Sequence, residues 1–444
     1  MKLIYNVKDK PKFGQLIVFA IQQLLAIMAA TLVVPIIIGN GMQPTAALFG
    51  AGVGTLIYIL FTKAKSPVFL GSSFAFLGSM AAAFAGAVSV QAGYAGLIIG
   101  TVFAGLVYVV IALIVKFAGV EWINKLMPAQ VIGPTVSIIG LSLAGNAIGD
   151  LQTGGFKVDG VSQANVFVAL ICGLTALFVA MLCSVYGKKT VKLIPFIIGI
   201  LSGYIVASVF TIIGLKTGNN NLVVIDFSVF ENIKLFALPE FTFLTAAKGI
   251  KEVDGAYIAS LAVAYVPVAF VVFAEHIADH KNISSIIESD LLEEPGLHRT
   301  LLGDGVGSMA GAIFGGCPNT TYGESVACVA ITGNASVYTT ITAAIAAILI
   351  AFIQPFVAFV NSIPSCIMGG ICVALYGFIA VSGLKMIQKV DLENNANLFT
   401  VSVILIAGIG GLALNFGAVT ITSIATALIL GIITNIVLSR KKKA

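Results

Sequence analysis

The chain is partitioned into apolar runs, each close to the length of one membrane crossing, and that pattern leaves room for only one class of fold. A helix that spans a bilayer needs about 20 mostly apolar residues. Runs of this kind occupy residues 13–38, 45–62, 67–85, 94–115, 129–147, 166–186 and 193–213. After a more polar stretch at 214–255, seven more follow at 257–279, 301–316, 318–332, 338–360, 364–387, 398–414 and 419–438. With 59% hydrophobic residues, 10% charged residues and a mean hydropathy of +1.06, a soluble globular domain is excluded. The 47 glycines fit the same class, because small residues let membrane helices approach closely. The pattern predicts an all-α polytopic membrane protein with 14 transmembrane segments.

Charge placement tests the segmentation independently, since cytoplasmic loops concentrate lysine and arginine. With the N-terminus inside, Lys2, Lys8, Lys10, Lys12, Lys63, Lys65, Lys116, Lys125, Lys188, Lys189, Lys192, Lys281, Arg299, Lys385, Lys389 and the Arg440 to Lys443 tail fall on the cytoplasmic side. These are 19 of the 24 basic residues. The other five, Lys157, Lys216, Lys234, Lys248 and Lys251, fall in two longer outer loops. An error of one span would scramble this alternation, so both termini are expected inside. The loop bias also accounts for the net charge of +5 without a nucleic-acid partner. The lysines before residue 13 lead into a run containing Gln22 and Gln23 with no small-residue cleavage pattern, which reads as a first span rather than a removed leader. Cys172, Cys183, Cys317, Cys328, Cys366 and Cys372 form no CxxC pair and read as packing residues.

Two segments depart from uniform helix, and they occupy the third place in each group of seven. One opens Pro67-Val-Phe-Leu-Gly-Ser-Ser-Phe74; the other opens Pro318-Asn-Thr-Thr-Tyr-Gly-Glu324. Gly/Pro-interrupted segments at corresponding places in two halves point to an inverted-repeat transporter with its site near mid-membrane. The expectation is a 7+7 inverted repeat in which segments 3 and 10 are each a short extended stretch plus a half-helix. Irregular backbone at that depth must line a cavity or be buried in protein, and half-helix N-termini would offer N–H donors to a ligand. Two ordinary helices kinked by Pro and Gly are the competing reading.

Ionisable residues at membrane depth are costly and mark functional sites. Three stand out: Glu275 and Asp279 in the eighth run and Glu324 in the tenth. Glu275 and Asp279 are four apart, so on a helix they share one face. Two carboxylates that close cannot cheaply both ionise in a low dielectric, which is the property of a proton-coupling site. For Asp279 the rival reading is a solvated helix-end acid, and for Glu324 a helix-capping acid. The string His276-Ile-Ala-Asp279-His280 has the spacing of a zinc-protease helix. A catalytic zinc needs a third protein ligand, and the only other histidine, His298, lies in a loop beside Arg299. His276 is therefore read as a hydrogen-bonded packing residue and His280 as a solvated one at the membrane edge, with no metal and no cofactor.

At these residues the chain resembles the nucleobase–ascorbate (nucleobase:cation symporter 2) family, and within it the uracil branch. The matching strings are Leu70-Gly-Ser-Ser-Phe-Ala-Phe76, Ala274-Glu-His276, Glu294-Pro-Gly-Leu-His-Arg299 and Pro318-Asn-Thr-Thr-Tyr-Gly-Glu324. The resemblance implies a core domain from segments 1–4 (13–116) and 8–11 (257–360), and a gate domain from segments 5–7 (129–213) and 12–14 (364–438). It implies proton symport by movement of core against gate, in a multi-pass protein of the cytoplasmic membrane, a family that is often dimeric. Carried over by position, Glu275 and Glu324 bind the base, the backbones of Phe74 and Gly323 meet it, and Tyr376 reaches toward the coupling position. Three residues depart from the family pattern: Asp279 stands where a histidine is frequent, Ser325 where asparagine follows the glutamate, and Gln23 where histidine follows Gln22.

The function expected is import of uracil with a proton, Glu275 and Glu324 binding the base and Glu275 with Asp279 carrying the coupling. The alternatives are a purine or xanthine permease of the same family, or an anion transporter or channel on a similar scaffold. The last would want Arg or Lys at its site, and none lies deep in any run. No nucleophile–base–acid set emerges, so the chain is not expected to be an enzyme.

Overall fold

The structure, a computed structural model, describes residues 3–119, 121–158, 161–188, 190–231, 233–416 and 419–439. Lys2, Lys189 and the Arg440 to Lys443 tail, placed on the cytoplasmic side by the charge argument, lie outside the described residues. The chain is mostly helical. In order come α1 (Phe13–Ile38), α2 (Pro44–Phe61), α3 (Leu77–Ala85), α4 (Val90–Ala118), α5 (Glu121–Leu126), α6 (Ala129–Ser142), α7 (Ala144–Leu151), α8 (Val166–Tyr186), α9 (Thr190–Leu193), α10 (Pro195–Thr217) and α11 (Thr242–Gly249). The second half holds α12 (Gly255–Ile287), α13 (Leu297–Gly315), α14 (Gly323–Thr332), α15 (Val337–Ile350), α16 (Gln354–Ser362), α17 (Ser365–Ile387), α18 (Asn395–Ile409) and α19 (Ser423–Ser439). Among the described residues eight helical spans are long and apolar enough to cross a membrane, with α6 and α7 counted as one, and shorter apolar helices accompany them.

Helix ends follow local chemistry. Asp254 caps α12 by accepting from Tyr257 N–H at 2.7 Å, and Ser89 caps α4 by accepting from Ala92 N–H at 3.0 Å. Glycines close α1, α4, α10, α13 and α14. Large apolar side chains face outward, among them Phe117, Ile205, Leu182 and Ile406, as lipid-facing positions of a multi-pass membrane protein do.

Two sets of helices pack among themselves. In one, α13 lies against α2 and α4, α12 against α4, and α15 against α1 and α2; in the other, α17 lies against α6, α7 and α8, α10 against α8, and α18 and α19 against each other and α6. The α2–α13 seam explains how apolar helices adhere without a hydrophobic drive between them. Gly303, Gly307, Gly311 and Gly315 recur every fourth residue of α13. A Cβ at Gly50 of α2 would sit 2.5 Å from the Gly311 carbonyl oxygen, and one at Gly54 would sit 2.6 Å from that of Gly307. The backbones therefore touch, and close packing does the work.

Among the described residues there are six short strands: β1 (Leu70–Ser72), β2 (Lys157–Val158), β3 (Val161–Ser162), β4 (Asn319–Thr321), β5 (Leu414–Phe416) and β6 (Val419–Ile421). The consequential pair is β1 with β4, antiparallel, with Leu70 opposite Thr321, Gly71 opposite Thr320 and Ser72 opposite Asn319. The ladder extends through Ser73 N–H, which donates to the Pro318 carbonyl at 2.8 Å. After β1 comes a 3-10 turn (Phe74–Phe76) and then α3; after β4 comes α14. Because the strands are antiparallel, the two segments leave the crossing in opposite directions. At the loop level, the Lys65 ammonium donates to the Glu294 carboxylate and holds it below its usual carboxyl range.

Several boundaries differ from the hydropathy reading. The eighth run ends at 279, yet α12 continues to Ile287, since polar Lys281, Asn282 and Ser284 end the apolar run without ending the helix. The run at 338–360 is two helices, α15 and α16, the second beginning with Gln354 and Pro355, where proline suits the first helical turn.

Candidate functional site

A cavity of about 430 Å³ lies beside the β1–β4 crossing, where the two helix sets face each other. Phe74 and Ala75 line it from the turn after β1, and Thr320, Tyr322, Gly323 and Glu324 line it from β4 and the start of α14. Glu275, Asp279 and Asn282 form a polar stripe along α12, and Ile132, Val136 and Ile139 of α6 with Leu375, Ile379 and Ser382 of α17 make the opposite wall. Of the residues singled out from sequence, Glu275, Asp279, Glu324, Phe74 and Gly323 therefore share one cavity. Tyr376 is not among its lining residues; its ring meets Phe74 edge-on, centroids 6.1 Å apart, and it is buried.

The acids are held differently. Glu275 projects into the open space, Glu324 is partly covered, and Asp279 is buried, accepting a hydrogen bond from Thr321 Oγ1 to its Oδ2 at 2.9 Å. The tie from β4 keeps the Asp279 carboxyl on the cavity side of α12. A Cβ at Gly323 would meet nothing closer than Asp279 Oδ1 at 4.0 Å, so the backbone there is open to the cavity. No lysine or arginine is among the lining residues, so the charge of the cavity depends on how many protons the three carboxyls hold. First-turn N–H groups of a helix have no intrahelical acceptor and carry its positive end. Gly323 and Glu324 at the start of α14, and Phe74 and Ala75 after Ser73 on the other segment, line the same cavity as the acids.

The start of α14 is tied to distant parts of the chain. Gln23 Nε2 of α1 donates to Ser325 Oγ at 2.8 Å, and Phe69 N–H donates to the same oxygen at 2.9 Å. Gln23, Phe69 and Ser325 are all buried. Tyr322 OH, one residue before α14, donates to the Ser72 carbonyl at 2.5 Å.

Behind the cavity, α12 carries a second polar group. His276 Nδ1 lies 2.7 Å from Asp304 Oδ2 of α13, and its Nε2 lies 3.0 Å from Thr300 Oγ1. His280 corrects the reading of a solvated residue at the membrane edge: it is 0% exposed. Its Nδ1 donates to the His276 carbonyl at 2.7 Å, and its Nε2 lies 2.6 Å from Tyr58 OH, which also bonds Ser66 Oγ at 2.7 Å. The helix continues past 279, so the apparent edge is interior. Every ring nitrogen of the two histidines is thus occupied by a protein partner. Asp304, 1% exposed, is a buried acid that the reading of the apolar runs passed over. Its signal was an aspartate near the start of the run at 301–316.

Comparison with known proteins agrees with the family read from the motifs. Residues 14–417 match the Permease family, Xan_ur_permease. The chain is 38% identical over 446 residues to a uracil permease of Bacillus caldolyticus, covering 100% of this chain and 96% of that protein. It is 35% identical to a uracil permease of Bacillus subtilis (strain 168), covering 100% and 97%, and 34% identical to one of Escherichia coli (strain K12), covering 96% and 92%. Among solved structures, the transmembrane domain of the cyanobacterium bicarbonate transporter BicA matches with a TM-score of 0.64 at 16% identity, covering 98% of this chain and 100% of that one. Murine Slc26a9, an anion transporter in the inward-facing state, matches with a TM-score of 0.69 at 10% identity, covering 98% and 69%. At such identities the likeness concerns the fold alone. With a family match over most of its length and full-length relatives at 34–38% identity, the chain belongs to the Xan_ur_permease family and is a multi-pass membrane transporter, not an enzyme.

Proposed function

We propose that this permease imports uracil together with a proton across the cytoplasmic membrane. The observation that carries the reading is the convergence in one cavity of Glu275 and Asp279 from α12, Gly323 and Glu324 from α14, and Phe74 from the segment after β1. Uracil presents two ring N–H groups and two carbonyl oxygens. Carboxylates of Glu275 and Glu324 accept the former, and the N–H groups of Phe74 and Gly323 donate to the latter. A site that pairs polar groups on both edges rejects analogues lacking them far better than an apolar slot does. The full-length relatives named uracil permeases support the same substrate.

The mechanism follows from the fourteen-segment 7+7 repeat with both termini inside. The core domain (13–116 and 257–360) carries the acids and both interrupted segments, and rocks against the gate domain (129–213 and 364–438). Glu275 and Asp279, one turn apart, share the coupled proton. Loading the base and the proton together removes the mutual repulsion of the carboxylates and allows the site to cross. An anion as substrate is disfavoured, since three carboxyls and no basic residue line the cavity. A purine or xanthine permease remains the nearest rival, and competition of labelled uracil uptake by xanthine separates the two. The decisive test is uptake of labelled uracil in cells lacking their own permease, with and without a protonophore. Uptake that Glu275→Gln abolishes and the protonophore collapses is expected; uracil uptake indifferent to both refutes the assignment.

A further inference from the structure

A second cavity, of about 440 Å³, lies in line with the first. Their linings share no residue but come from adjoining stretches of the same chain segments. From α6 into α7 the residues at three-to-four spacing run Ile132, Val136 and Ile139 of α6 along the first cavity, then Leu143, between the two helices, and Asn146 of α7 along the second. Facing them, Phe74 and Ala75 line the first cavity, and Leu77, Gly78, Ala81 and Phe84 line the second. One continuous seam between the two helix sets thus holds both spaces. Phe74, which lines the first cavity, meets the buried Tyr376 edge-on, 6.1 Å between centroids. The lining of the second cavity contains no charged side chain. Its polar groups are the carboxamides of Asn40, at the turn after α1, and Asn146, in α7; the aromatic wall is Phe84. Asn40 is fixed in place: its Nδ2 donates to the Ile38 carbonyl at 3.0 Å, and its own carbonyl accepts from Tyr94 OH at 3.2 Å.

We propose that this second cavity is an outer recognition site for a small, uncharged, planar heterocycle carrying adjacent N–H and carbonyl groups, and that the Phe74–Tyr376 pair is the barrier between it and the acidic cavity. A carboxamide both donates and accepts, so it matches an imide edge and gives no advantage to an ion. Lining without charge lets a neutral base dock before it meets the carboxylates, and aromatic and apolar walls accept its faces. The orientation rests on the topology of the proposed function, which puts the end of α1 and the start of α7 outside; the ligand class rests on the lining itself. For a ligand moving inward, separation of the two rings, not of the whole seam, opens the route.

Side-specific thiol labelling tests this. The native cysteines are buried except the half-buried Cys183, so a Cys183→Ser background carries Asn146→Cys, with Asn40→Cys as a second variant should the first fail to fold. A membrane-impermeant maleimide added outside is expected to react with the introduced thiol, uracil is expected to slow the reaction, and a completed adduct is expected to stop influx. The slowing should persist when Glu275→Gln is added, because the outer site does not use that carboxyl. In sealed vesicles of both orientations, Asn146→Ala should raise the external KM about fivefold, the loss of one neutral hydrogen bond, and leave the internal KM unchanged. Labelling from the inside only, or protection that vanishes with Glu275→Gln, or equal KM changes on both faces, overturns the outer site. Absence of uracil uptake by the unlabelled Cys183→Ser background would instead fail the substrate assignment, and the two failures are read separately.

Discussion

The contact of Gln23 with Ser325 makes the sharpest quantitative prediction, because it joins two of the three positions at which the chain departs from its family's pattern. Ser325 Oγ is the common acceptor of Gln23 Nε2 and Phe69 N–H, at 2.8 and 2.9 Å. Ser325→Ala strands both donors in the interior, and a buried unsatisfied donor costs about 1–3 kcal/mol. Gln23→Leu removes one bond while Ser325 Oγ keeps its bond from Phe69, so it should cost only about 0.5–1.5 kcal/mol. In the double variant only the Phe69 N–H is stranded. The double variant should therefore be less destabilised than the sum of the singles by about 1.5–4.5 kcal/mol, the term a double-mutant cycle isolates. Reversible unfolding of the solubilised protein in mixed micelles supplies the free energies. Because Ser325 follows Glu324 directly, the same cycle in KM for uracil should show coupling, with Ser325→Ala raising KM. Restoring the family's asparagine alone should overpack a site that is 0% exposed, costing about 1–3 kcal/mol, and pairing it with Gln23→His should recover most of that. Strict additivity of the singles in both stability and KM would refute the idea that this contact sets the placement of α14.

Asp279→Asn preserves the acceptor for Thr321, so binding and exchange of internal for external uracil should persist while accumulation driven by a pH gradient collapses; both are measured in the same proteoliposomes, and retained accumulation removes Asp279 from the coupling pair. Gly323→Ala meets open space, with Asp279 Oδ1 at 4.0 Å the nearest group, so the thermal midpoint should hold while the added methyl lowers uracil affinity at least several-fold; unchanged affinity would mean the backbone at 323 is not a ligand. Tyr58→Phe leaves the buried His280 ring short of a partner and should cost about 1–3 kcal/mol in unfolding free energy, with KM for uracil unchanged because Tyr58 and His280 lie outside the cavity lining.

The apolar runs were legible in the sequence because a membrane helix must satisfy its backbone internally and its side chains externally, so hydropathy alone marks it. Ends were less legible. α12 runs eight residues beyond the apolar stretch at 257–279, to Ile287, since hydropathy reports the environment and not the backbone. That same error misplaced His280. The run at 338–360 hid a helix start at Gln354–Pro355 within uniformly apolar residues; proline there was a signal, but composition masked it.

Legibility of the site divides along a physical line. A group that must meet a polar solute or a proton has to break the apolar pattern, so Glu275, Asp279 and Glu324 stood out, and the interrupted segments carrying Phe74 and Gly323 stood out with them. A group that only holds such residues in place can be a serine, threonine or glutamine, compatible with an apolar run, and its partner can be anywhere in the chain. Thr321 holds Asp279 across 42 residues, Asp304 meets His276 across 28, and Gln23 meets Ser325 across 302. No window along the sequence contains the last of these pairs. Gln23 and Ser325 each read in isolation as an unexplained departure, and only their contact joins them: the serine hydroxyl is short, and the glutamine amide is long enough to reach it from α1.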